Sequence, residues 1–160
     1  MSIILGIDPW TTTTWFCIID CQASIKKIIE YWVIETKPKE NIEYKLIDIV
    51  SDLESLVDKY KPDIAAIEKL FFSKNQKTAI DVAQSRWAMI HMLAKKWVKI
   101  CEYTPLQVKR WICWNWSAEK KQVQNALKFI FKLNSIPRPD DAADAMAIAY
   151  IASLNKNFAF

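Results

Sequence analysis

Four carboxylates in this chain stand where two strands and a helix could gather them. Asp8 closes the apolar run Ile3 to Asp8 (IILGID), Glu68 closes Ile64 to Glu68 (IAAIE), and Asp141 and Asp144 stand three apart in PRPDDAADAMAIA. Both runs are short, β-branched and bounded by polar residues, so each reads as a buried strand. In open α/β sheets, ligands bind beyond the carboxyl ends of the strands. The three-residue spacing sets Asp141 and Asp144 on one face of a helix at its first turn, with Asp140 pointing elsewhere. Like charges that close raise one another's pKa unless a cation neutralises them. Hard oxygen ligands without His or Cys suit Mg²⁺, with Mn²⁺ as a substitute, over zinc. Such ions activate water and stabilise a leaving oxygen during in-line attack on a phosphodiester. Singly, each acid has an ordinary explanation in strand-end polarity or helix capping. Together they point to a metal-dependent nuclease.

The elements that must position them follow from hydrophobic period. After Ile3 to Asp8, the segments Phe16 to Asp20 and Ile28 to Thr36 read as two more strands. From Glu40 to Tyr60, Ile42, Leu46, Ile49, Val50, Leu53, Leu56 and Val57 recur at helical spacing, and Pro62 closes the segment. Ile64 to Glu68 is the fourth strand, Asn75 to Lys96 a helix, and Val98 to Tyr103 the fifth strand. Pro105 to Arg110, Ala118 to Leu133 and Asp141 to Leu154 are helices. A meander followed by alternating helix and strand makes an α/β domain with a mixed five-stranded sheet flanked by helices. Residues 1–155 are expected to form one domain, with a frayed tail at 156–160. The stretch AMIHMLA is apolar on nearly every side, which fits either a second subunit or a larger core within the chain.

Charge is unevenly spread: residues 82–138 carry eleven Lys and Arg against Glu102 and Glu119, a balance of +9 within a chain of net charge +4. Such a surface suits polyanions, although solvated helix faces also account for it. No apolar run reaches transmembrane length and no basic signal start precedes one, so a cytoplasmic protein without a membrane partner is expected. Cys17, Cys21, Cys101 and Cys113 form no CxxC pair, and His91 has no zinc-binding company; they read as reduced fillers.

Eight tryptophans accompany one glycine. Trp10, Trp15, Trp32, Trp97, Trp114 and Trp116 fall at or beside expected turns, where glycine belongs and an indole is the worst substitute. The nine residues together come close to the roughly 7% glycine of average proteins. The reading is that the gene uses UGA for glycine and that a UGA-as-tryptophan table wrote Trp; the competing reading is an indole surface that stacks on bases. A literal Trp10, two residues after Asp8, should disable a metal site, and Trp87 should overpack a close helix contact.

The blocks IILGIDPWTTTTWF, KPDIAAIEKLFFSKN, AQSRWA, YTPLQVKRWICWNWSAEKKQVQ and PRPDDAADAMAIA span nearly the whole chain, and in them it resembles RuvC-type Holliday junction resolvases of the RNase H-like superfamily. Family patterns such as GIDPG, ARG and GNGSAEK hold glycine where this chain has Trp10, Trp87, Trp114 and Trp116. The resemblance implies that Asp8, Glu68, Asp141 and Asp144 are metal-binding catalytic acids and that Lys109 and Lys120 face cleaved DNA. It places Phe71 in a loop entering the junction, with Phe72 able to share the task, unless Phe71 is buried in the core. Lys74 and Arg86 complete the expected DNA contacts. It also implies an Mg²⁺-dependent homodimer that nicks symmetric strands of a four-way junction in recombination and repair, beside a branch-migration helicase. Alternatives are a nuclease-dead module binding branched DNA, an RNase H-like nuclease acting on RNA, and, from IDPWTTTT alone, the phosphate loop of actin-like kinases.

Overall fold

Ile3–Asp8 forms β1, and five of its six residues are buried, as befits a strand covered on both faces. It occupies the middle of a five-stranded sheet of order β3-β2-β1-β4-β5. β2 (Thr13–Gln22) runs antiparallel to β1, and β3 (Ile25–Glu35) antiparallel to β2. β4 (Ile64–Glu68) lies parallel to β1 with Ile7 opposite Ile67, so Asp8 and Glu68 leave the sheet at one edge. β5 (Lys99–Tyr103) runs parallel to β4. The computed structural model describes residues 2–22, 25–69 and 76–154. Phe71, Phe72, Lys74 and the tail expected at 156–160 lie outside them.

Alternating side chains divide the core into two layers. On one face Leu5, Ile7, Ile18 and Ile67 meet Ile49, Leu53 and Val57 of α1 (Ile42–Tyr60) and Met89 and Leu93 of α2 (Gln76–Lys95). On the other, Ile4, Cys17, Ile19 and Ala66 meet α5 (Asp140–Leu154), with α3 (Pro105–Cys113) and α4 (Lys120–Ile130) beside it. α5 is mostly alanine where it crosses β1. A Cβ on Gly6 would stand 2.3 Å from the Ala145 carbonyl oxygen and 2.7 Å from the Ala149 Cβ, so the helix backbone rests almost on the strand. That close approach requires the glycine.

Several boundaries differ from expectation. β2 and β3 are longer than the expected segments, because they pair from Thr13–Glu35 to Gln22–Ile25 and each ladder bond supports the next. α3 continues past Arg110 to Cys113, and α4 starts at Lys120, where Glu119 and Gln122 close a capping box. In α2, Met89, Met92 and Leu93 are buried while His91 and Ala94 are exposed, so within the chain this helix is covered on one side. No helix among the described residues is long and apolar enough to cross a membrane.

The tryptophans divide into two groups. Trp10, Trp97, Trp114 and Trp116 stand in turns or at helix ends, whereas Trp15, Trp32, Trp87 and Trp111 lie inside strands or helices, against the expectation that turns hold most of them. Trp97 and Trp114 have φ of 59° and 55°, in the left-handed region that favours glycine. Seven of the eight are exposed, by 43% to 94%. Trp87 is one of them, so the overpacking expected of it does not arise within the chain.

Candidate active site

Parallel pairing of β1 with β4 brings Asp8 beside Glu68, and the descent of α5 onto Gly6 brings the helix's first turn to the same edge. One carboxylate oxygen from each of Asp8, Asp141 and Asp144 lies within 4.8 Å of the others. Asp8 is 3% exposed, and the other two are half-buried. Glu68 stands outside that triad but lines the same cleft of about 300 Å³, with Lys109, Lys120, Trp10 and Val123. The Thr-rich turn after Asp8 is tied down by one hydroxyl of its own and one from the end of β3: Thr14 Oγ1 donates to the Trp10 carbonyl at 2.6 Å and Thr36 Oγ1 to that of Thr11 at 2.7 Å.

Negative charge at this edge is under-compensated. Burial, then the charges of Glu68, Asp144 and Asp141, push the Asp8 carboxyl up to about 8. Burial and Asp144 raise Glu68 to about 7, and burial raises Asp144 to about 6 although Lys120 opposes the rise. Three oxygen donors at this spacing, with no His or Cys, fit a hard divalent cation. Lys120 is the nearby positive charge, with Nζ 2.7 Å from Asp140, 3.8 Å from Asp141 and 4.0 Å from Asp144. Asp140 is not one of the three converging acids, yet it is what anchors the ammonium.

The family model described as crossover junction endodeoxyribonuclease RuvC matches residues 4–152. The chain belongs to the RuvC family. Among its relatives, the RuvC of Syntrophomonas wolfei is 44% identical, over 91% of this chain and 85% of its own length. That of Finegoldia magna is 40% identical over 98% and 96%. The solved Thermus thermophilus RuvC in complex with Holliday junction substrate superposes with a TM-score of 0.89 at 24% identity, covering 97% of both chains. The fold is RNase H-like.

Within this RuvC framework the other expected site residues separate. Lys109 lines the cleft from α3, which starts at the sheet edge because Thr104 and Gln107 form a capping box with Pro105 at the first helical position. Arg86 does not face outward as expected of a DNA contact. It is 7% exposed, its Nε donates to the Glu68 carbonyl oxygen at 2.9 Å, and its Nη2 pairs with Glu102. Burial explains the correction, since a desolvated guanidinium must be paired inside the protein. The sequence did hold the signal: Val82, Arg86, Met89 and Leu93 recur at helical spacing on the buried stripe of α2. Trp10 intrudes on the acids, for its Nε1 donates to Asp8 Oδ2 at 3.3 Å and so occupies one of that carboxylate's two oxygens.

Proposed function

We propose that this chain is a structure-selective endonuclease that hydrolyses phosphodiester bonds in four-way DNA junctions, nicking symmetric strands during recombination and repair. The observation that carries the reading is the convergence of Asp8, Asp141 and Asp144 within 4.8 Å at the carboxyl edge of the sheet. Asp8, Asp141 and Asp144 would hold Mg²⁺ or Mn²⁺, with Glu68 as the fourth carboxylate at the cleft. A bound divalent cation would supply a Lewis acid that activates water and stabilises the leaving oxygen. Lys120 and Lys109 place positive charge where a phosphate would enter, and Asp140 keeps the Lys120 ammonium at the rim of the acids. The surrounding basic segment, +9 over residues 82–138, draws the polyanion. Phe71, Phe72 and Lys74 belong to the segment that would enter the junction. Two copies, one active site each, would make the paired nicks, beside a branch-migration helicase. Residues 1–155 act as the one nuclease domain of each copy in the cytoplasm.

The test is a synthetic four-way junction incubated with the purified chain in Mg²⁺. Paired nicks at symmetric positions, lost in Asp144→Asn, are expected. Binding without cutting in both Mg²⁺ and Mn²⁺ would replace the reading with a nuclease-dead branched-DNA module, and preferential cutting of an RNA–DNA hybrid would replace it with an RNA-directed nuclease. The tryptophans bear on the same test, because the indole on Asp8 competes with a cation. A version with Trp10→Gly is expected to cut faster than the Trp10 form.

A further inference from the structure

The fourth carboxylate poses a positional problem. Glu68 is the last residue of β4, and the β4–β5 ladder stops at its pairing with Tyr103, so the sheet holds it from one direction only. What meets its backbone from the other side is Arg86, reaching in from the middle of α2 with Nε 2.9 Å from the Glu68 carbonyl oxygen. The same guanidinium pairs through Nη2 with Glu102 of β5. Glu102 in turn stands 3.8 Å from Lys69 Nζ, and the Lys69 N–H donates to the Tyr103 carbonyl at 2.8 Å. Helix α2, the end of β4 and strand β5 are thus joined through one planar cation immediately behind the acid.

A buried charge is costly unless it is paired and hydrogen-bonded, so a guanidinium kept here must be matched by what it holds. Its rigid fork fixes two acceptors relative to each other, which an ammonium on a flexible stem does not. We propose that Arg86 is a positioning residue that fixes Glu68 at the edge of the acid cluster, with Glu102 as its anchor. The proposal rests on the metal-dependent reading above and deepens it. Arg86 touches neither the carboxylate of Glu68 nor the cleft, so it acts through the backbone of the residue that presents the acid.

The test is calorimetric titration of the full chain with Mn²⁺ in the absence of DNA, so that the readout is affinity and not cleavage. Arg86→Lys is expected to weaken Mn²⁺ binding about tenfold, the lower end of what loss of a ligand-orienting partner costs. Glu102→Gln, at a partly exposed carboxylate, is expected to shift affinity in the same direction by less. Val57→Ala, in the α1 layer, serves as the control, expected to lower Tm and leave the affinity alone. Arg86→Lys binding Mn²⁺ as tightly as the parent would overturn the proposal, as would Val57→Ala weakening it as much as Arg86→Lys does. If Arg86→Lys does not fold, Glu102→Gln decides, and an unchanged affinity in that variant overturns the proposal. A parent chain that takes up no Mn²⁺ removes the metal reading and this one with it, whereas parent binding with an indifferent Arg86→Lys removes this one alone.

Discussion

Leu53 on α1 and Ala145 on α5 lie on opposite faces of one sheet and meet it in different ways. On the α1–α2 side, large aliphatic and methionine side chains fill the space, and the helices stand off the strands by the depth of those side chains. On the α5 side, alanines meet Gly6 and Ala66, and the helix backbone nearly touches β1. The first arrangement stabilises the sheet and leaves its carboxyl edge alone. The second also places a helix start beside strand ends, which is how Asp141 and Asp144 come within reach of Asp8. Position at the site is therefore set by what the α5 side chains lack.

Removing the chemistry while keeping the packing is the sharpest way to separate the two faces. Asp8→Asn should lower junction cleavage by about a hundredfold or more, roughly 3 kcal/mol of transition-state stabilisation, with the fold retained by circular dichroism. Leu53→Ala should do the reverse: about 2–5 kcal/mol lost in urea unfolding, with the folded fraction cutting at the parent rate. Gly6→Ala should show both effects, losing about 1–3 kcal/mol as α5 is pushed outward and losing cleavage because the acids part. A Gly6→Ala variant that loses stability alone would break the comparison.

The smallest effect expected is one of pH. Asp8, Glu68 and Asp144 titrate above the ordinary carboxylate range when folded, so the folded chain holds protons that the unfolded chain has released. Stability from this cluster is therefore fully present only below about pH 4 and is lost as pH rises from there through about 6 to 8. A bound divalent cation would replace those protons. The rise in Tm on adding Mg²⁺ should be larger at pH 8 than at pH 6, and equal shifts at both would show that the acids do not share a cation.

Much of the site was legible because its determinants are local. Asp8 and Glu68 mark the ends of apolar runs, and the spacing of Asp141 and Asp144 fixes a shared helix face. Which strands neighbour each other is not local, and the parallel pairing of Ile7 with Ile67 is visible in the fold and in neither run. Arg86 was misread because a residue type reports charge and not direction; only its place between Val82 and Met89 on the buried stripe gives the direction. Helix spacing sets Asp140 apart from the Asp141–Asp144 pair but does not show that it holds the distant Lys120. Trp10, Trp97, Trp114 and Trp116 do stand in turns or at helix ends, two of them with positive φ, whereas Trp15, Trp32, Trp87 and Trp111 lie in strands and helices, which also accept a large side chain. Trp97→Gly and Trp114→Gly should each stabilise the chain by about 1 kcal/mol, the relief of a left-handed residue carrying a Cβ.

Gly6 has a consequence for decoding. Any side chain there collides with the α5 backbone, whereas seven of the eight indoles are exposed, six of them away from the acids. If UGA encodes the other positions, a host that reads it as tryptophan still meets glycine at Gly6, where even a Cβ would collide. Such a host would make a chain whose helix can still dock, carrying its misreadings mainly on the outside.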